Sequence, residues 1–204
     1  MSITLTPLKT YGTTTIYRTQ TIVNCAKGKL DIDADGSPHA YHPNGSPPGL
    51  DYLANAGKPG NWWGLATDNA KPSGNPIIQG SSDLAPGFYV STTALQDTAK
   101  SYKSPLAYVN SETVPFIVIP GSSSGLNWIV GDFATVCYGS KCYHAIVGDI
   151  GPSTKFGEAS MKLASALSIN NNPKSGGVGS GVSYIVYTGT RTMRPQTIPT
   201  DSQI

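Results

Sequence analysis

No stretch of the sequence stays apolar for the roughly 18 residues that a membrane-spanning helix needs, so no membrane partner is expected. Charge is sparse. Charged residues make up 13% of the chain, and 14 Lys and Arg against 12 Asp and Glu leave a formal net charge of +2. The basic residues are scattered and form no run interleaved with aromatics, so no nucleic-acid partner is expected. Cysteines number three, without a Cys-x-x-Cys pair or a Cys/His set, so neither a metal site nor a cofactor is expected. The absence of a Gly-x-Ser-x-Gly elbow argues against Ser-His-Asp catalysis. Residues 1–7 show no basic stretch followed by an apolar run, so no cleavable signal peptide is expected. A place outside the cell or at a cell envelope would then require another route of export.

What the chain has in quantity is Gly (23) and Pro (16) in 204 residues, together with frequent Thr, Val, Ile and Tyr. That combination predicts many turns and strands and few long helices. The length suits one domain, and a chain of this size buries roughly 70% of its unfolded surface without a metal or disulfide staple. The division expected is an extended N-terminal segment over 1–28, a β domain over 29–190 and a loosely attached polar tail over 191–204, with the whole a monomer. Strands are predicted at 14–17, 21–23, 77–79, 87–93, 107–110, 114–120, 128–136, 143–147 and 182–189, and Pro115 marks a sheet edge or a strand start. Residues 157–169 carry apolar side chains at helical spacing and predict a helix of about three turns. Cys137 and Cys142 flank Tyr138-Gly139-Ser140-Lys141. Across a hairpin turn they could form a disulfide, or they could stay reduced on either side of it. Cys25 reads as a buried small hydrophobe.

Three stretches carry chemistry. The first is Asp31-Ile32-Asp33-Ala34-Asp35-Gly36, which opens like a calcium loop. The twelfth position is His42 rather than a bidentate Glu, and Pro38 and Pro43 break the flanking helix, so a calcium hand is not expected. The carboxylates either cap backbone amides of a turn or meet cationic sugar amines in a cleft. His39 and His42 lack a third ligand nearby and read as surface or cleft-lining. The second is the turn-rich span 44–80, a length of irregular chain that usually serves function. Its adjacent Trp62 and Trp63 offer a sugar-stacking surface; the plainer alternative is one core tryptophan covered by the other.

The third stretch runs from Tyr143 through Gly148-Asp149-Ile150-Gly151-Pro152 to Gly157-Glu158-Ala159-Ser160. It reads as strand, Gly-Pro turn, loop and helix. Glycoside hydrolysis needs one protonated and one ionised carboxyl flanking the bond, in environments that separate their pKa values. Asp149 ends an apolar strand, where desolvation raises its pKa and suits it to general acid. Glu158 lies near a predicted helix start, where the dipole favours the charged form and suits a base activating water. The two roles could be exchanged, and the plain alternative is that Asp149 caps the turn and Glu158 the helix.

The block Gly148 to Pro152 with Gly157 to Ser160, an apolar helix and a final strand resembles the signature half of a double-psi β-barrel. With Asp33-Ala34-Asp35-Gly36, Ala40-Tyr41-His42-Pro43, Leu50-Asp51-Tyr52-Leu53 and Gly87-Phe88-Tyr89-Val90-Ser91, residues 29–188 resemble fungal-type chitosanases, glycoside hydrolase family 75. The resemblance implies a mainly β fold with a six-stranded, double-psi β-barrel-like core, long loops and one or two short helices. It implies an endo-acting enzyme that cleaves chitosan with inversion, using Asp149 and Glu158. It also implies substrate binding by Asp33, Asp35, Tyr41, His42, Asp51, Trp62 and Trp63, and secretion. Two alternatives stay open: an enzyme acting on peptidoglycan glycan with the same pair, and a non-catalytic polysaccharide-binding barrel using Trp62, Trp63, Trp128 and tyrosines.

Overall fold

The computed structural model describes residues 5–18, 23–121, 125–193 and 198–204, with the side chains of 23–25, 192 and 193 also outside the described part. The reading of Cys25 as buried, and that of residues 21–22 as strand, therefore lie outside the described residues. Strands β1 (Thr6–Tyr11) and β2 (Thr14–Arg18) form a hairpin. The eleven-residue β3 (Val23–Asp33) follows. A two-stranded patch, β4 (Gly57–Lys58) and β5 (Asn61–Trp62), lies in the long loop. Then come β6 (Phe116–Pro120), β7 (Phe133–Tyr138), β8 (Lys141–Gly151), β9 (Glu158–Ser160), helix α1 (Met161–Ala166) and β10 (Val178–Tyr187).

Strands β3, β10, β7, β8, β6 and β9 are bonded in that order, and β9 returns to β3 in parallel, which closes a six-stranded barrel. Closure removes free sheet edges. One edge of β3 is shared: β2 pairs with its first half (Ile16↔Ala26, Arg18↔Asn24), and β9 with its last three residues (Asp31↔Glu158, Asp33↔Ser160). The domain start expected at 29 thus falls inside β3.

Period-two alternation sorts the side chains. Leu30, Ile117, Val147, Ala159 and Tyr184 belong to the main buried cluster with Leu163, Ala164 and Leu167 of the α1 segment. Burying a leucine of this kind contributes about 1.5–3 kcal/mol. The intervening residues of the same strands face outward, where Phe116, Val118 and Ile146 pack with Leu95 and Val109 of the long loop. That loop, residues 34–115, forms a second layer over the outer face of the barrel.

The structure corrects several expectations. Residues 87–93 and 77–79 do not form ladder strands. They join the loop layer through isolated bridges, Ile78↔Tyr89 and Leu65↔Ser91, because Pro76 and Pro86 remove donors and Gly87 turns the chain at φ +90°. Residues 105–107 form a 3₁₀ turn with Ser104 accepting from the Leu106 N–H. Trp128 lies before β7, buried in the barrel core against Phe156 at 5.2 Å. Pro115 stands at a strand start, one of its two expected places, immediately before β6; the other fails, since β6 is a central, fully buried strand and not an edge.

The helix expected over 157–169 is only six residues long, because Glu158–Ser160 fill the gap between β6 and β3 and complete the barrel. Ser160 caps it by accepting from the Leu163 N–H, and Ser168 at φ +59° ends the turn. Residues 198–204 of the tail are tied down: Asp201 pairs with Lys162 at 2.9 Å and accepts from the Tyr143 hydroxyl at 2.9 Å. Cys137 and Cys142 occupy directly paired positions across the β7–β8 turn and are joined as a disulfide.

Candidate active site

Two strand-borne carboxyls mark the site. Asp149 of β8 and Glu158 of β9 both register with Val118 of β6, and Glu158 registers in turn with Asp31 of β3. Residues paired across strands project to the same face, so the two carboxyls stand on one row with Val118 between them.

Asp149 reaches that face through a bulge. Ile117 pairs with Val147, but Val118 pairs with Asp149, leaving Gly148 as an extra residue. Strict alternation from Ala145 and Val147, both in the barrel core, would have driven Asp149 inward. One unpaired residue re-aims it outward. Gly148 has to be glycine here, since a Cβ would stand 2.6 Å from Cβ and Cγ of Phe116.

Above this row lies a cleft of about 580 Å³ between the barrel face and the loop layer. The barrel lines it with Asp33, Val118, Asp149 and Glu158, and the loops with Asp35, Tyr41, Asp51, Asn55, Trp63 and Lys155. Asp33 is the last residue of β3, so the Asp-rich stretch straddles a strand end rather than forming one turn. The Asp33 carboxylate accepts from the Asp35 N–H at 2.7 Å. The Asp35 carboxylate accepts from the Tyr41 hydroxyl at 2.7 Å. Asp51 is buried and accepts from the Tyr52 N–H (2.7 Å) and from Asn55 Nδ2 (2.8 Å), which fixes both of its oxygens. Trp63 stays 58% exposed, and its indole Nε1 donates to the Asn55 carbonyl at 2.8 Å. Its plane is thereby held at the cleft rim.

One oxygen each of Asp33, Asp35 and Asp149 lies within 4.8 Å of the others. Among the described residues this is the group whose spacing could hold a metal ion, and three carboxylate oxygens equally suit an ammonium group. Packing acids so close shifts their titration. Burial first, then the charge of Asp33, pushes Asp149 up to about 8, against backbone N–H groups of Ile150 and Ala94 that donate to it. Asp33 and Asp35 are raised as well, chiefly by desolvation and next by Asp35 and Asp149 respectively. Both keep part of their surface open to the cleft. Glu158 is raised by burial, opposed most by Lys155. The helix-dipole reason for an ionised Glu158 does not apply, since Glu158 begins a strand three residues before a six-residue helix.

Of the residues expected at the site, the fold gathers Asp149, Glu158, Asp33, Asp35, Tyr41, Asp51 and Trp63. It does not bring Trp62 or His42 there. Trp62 is 8% exposed and packs with Ala40, Tyr41 and Leu65 beneath the loop. His42 stacks edge-on against Phe88 at 4.8 Å, and its Nδ1 accepts from the Asn44 N–H. His39 pairs with Glu112 at 2.9 Å. Sequence reasoning missed Asn55 and Lys155. Asn55 sits four residues after Asp51 in a 3₁₀ turn, a spacing that could have suggested it, and Lys155 lies in the loop between the two carboxyls.

A closed β-barrel with two strand-borne carboxyls flanking a row, under an acidic cleft with an exposed tryptophan, has the makings of a carbohydrate-cleaving enzyme. Residues 74–202 match the family of fungal chitosanases of glycosyl hydrolase group 75, and the chain belongs to that family. It is a glycoside hydrolase of the chitosan-degrading class, with a polysaccharide as its substrate. No curated protein shows significant similarity to the chain. The matched segment carries Asp149 and Glu158, while Asp33, Asp35, Tyr41, Asp51 and Trp63 lie upstream of it.

Proposed function

We propose that the protein is an endo-acting chitosanase that hydrolyses β-1,4-glucosaminide bonds with inversion. Asp149, protonated, donates to the glycosidic oxygen. Glu158, ionised, takes a proton from the water that attacks the anomeric carbon from the opposite face. The observation that carries this reading is the shared row: Asp149 and Glu158 stand on either side of Val118. Two strand spacings separate their Cα atoms by about 9.5 Å, so the two carboxyls flank the row rather than touch, as an inverting pair that leaves room for water requires. The raised titration of Asp149 fits the acid.

Substrate recognition falls to the upstream wall. Asp33, Asp35 and Asp51 meet glucosamine ammonium groups, Tyr41 orients Asp35, and Trp63 stacks on a pyranose ring. Besides protonated Asp149, four acidic side chains line the cleft against one lysine, so the local field attracts a polycation although the chain carries +2 overall. The unit that does this is the barrel with its loop layer, acting as a monomer. A polymer of this kind is met outside the cell or in a wall, and the Cys137–Cys142 disulfide suits an oxidising compartment.

Release of reducing ends from soluble chitosan tests the reading, with purified peptidoglycan run in parallel. Wild type is expected to cut chitosan, and Asp149→Asn and Glu158→Gln are each expected to lose about 10²–10⁴-fold in rate while remaining folded. Cleavage of peptidoglycan alone would move the same pair to a different glycan. Full activity in either variant would remove that residue from the chemistry.

A further inference from the structure

Asp149 and Glu158 share one cleft, and burial raises both, so some neighbour must make them unequal if one is to donate a proton while the other accepts one. The groups facing Asp149 are Asp33 and Asp35, Glu158 along the row, and two backbone amides. None of these is a cation. Glu158 faces a different set. From β3 come Asp33, Asp31 and Lys29, whose ammonium is already bound to the Asp31 carboxylate, and from β10 comes the Tyr184 phenol. From β6 comes uncharged Val118. From β8 come Asp149 and Gly151, where a Cβ would stand 3.0 Å from Glu158 Oε2. From the loop after β8 comes Lys155, whose Nζ is 3.9 Å from Glu158 Oε1. It is the basic side chain among those lining the cleft.

We propose that Lys155 is a positioning residue that keeps Glu158 ionised and thereby fixes which carboxyl is base and which is acid. The inference rests on the catalytic reading above. It explains why a lysine stands in a cleft for a cationic polymer, where it would otherwise repel substrate. The lysine is half exposed, and Glu158 is partly so. Solvent screening therefore trims the coupling below that of a buried pair, and a shift of about half to one pH unit is expected on its removal.

The chain has two glutamates, Glu112 and Glu158, so ¹³Cδ-glutamate labelling gives two carboxyl resonances, assigned with Glu112→Gln. The Glu158 midpoint is expected to rise by about half to one unit in Lys155→Met and to return in Lys155→Arg. The acidic limb of the kcat/KM profile on chitosan oligosaccharides should rise with it, and the alkaline limb should stay. A Glu158 midpoint unchanged in Lys155→Met overturns the proposal, and so does an acidic limb that does not move. Should Glu158→Gln prove fully active, the catalytic reading fails by that result, while the titration still reports whether Lys155 governs Glu158.

Discussion

Asp149 and Glu158 sit on strands bonded on both sides within the barrel, whereas Asp35, Tyr41, Asp51 and Trp63 sit on irregular chain between residues 34 and 63. On the floor, ladder register sets where a carboxyl points: Val118 aligns the pair, and the Gly148 bulge turns Asp149 out of the core. In the wall, individual contacts do the same work, such as Asn55 on Asp51, Tyr41 on Asp35 and the Asn55 carbonyl on Trp63. Beneath them lies the small cluster of Ala34, Ala40, Tyr41, Ala56, Trp62 and Leu65, with Leu53 and Tyr89 packed against it. The two regions should therefore fail differently. A change on the floor acts through register and should be all or none, while a change in the wall should be graded.

Gly148→Ala tests the floor most severely. The added methyl meets Phe116 at 2.6 Å, and either the bulge is lost or the core shifts. The expected cost is about 1–3 kcal/mol of stability, read as a lower Tm. A loss of activity approaching that of Asp149→Asn should accompany it, about 10²-fold or more. Retention of full activity would show that the bulge does not aim Asp149.

Asp51→Asn probes the wall. Removing one charged partner of a sugar ammonium removes about 1.5–3 kcal/mol of binding, so KM for chitosan should rise about 10-fold or more with kcat little changed. A fall in kcat with KM intact would place Asp51 on the floor's side of the comparison.

The remaining effect is on stability, and it depends on pH. The folded pKa of Asp149, about 8, lies above its unfolded value near 3.8. Between these values the unfolded chain has released a proton that the folded protein keeps, so stability falls as pH rises through this window. Asp149→Asn removes the penalty. Its Tm advantage over wild type should be near zero at pH 4 and grow to on the order of 10 °C toward pH 8. An advantage independent of pH would contradict the raised titration.

Much of this comparison could be read from the sequence. The alternation in 143–147 and 182–189, with cysteines either side of a Gly-Ser turn, placed β8, β10 and the β7–β8 hairpin. The family resemblance named Asp149 and Glu158. Three things stayed hidden for physical reasons. Strand β9 is three residues long and runs straight into α1, so local pattern read Glu158 as a helix start, whereas closure of the barrel makes it a strand. The direction of Asp149 depends on one bulged residue, which no periodicity reveals. The loop layer is held by isolated bridges and side-chain hydrogen bonds between residues far apart in sequence, such as the Gln79 amide on the Pro38 carbonyl. Trp62 and Trp63 therefore looked alike, although one is core and the other faces solvent.

In the proposed reaction water attacks directly, with Glu158 as base and Asp149 as acid across Val118. ¹H NMR of the first products released from β-linked chitosan tests this in one experiment, before mutarotation mixes the anomers. The α-anomer appearing first is the result predicted, since a single displacement inverts the anomeric carbon. The β-anomer appearing first would require two displacements and a covalent glycosyl intermediate, and would contradict the assigned roles of the pair.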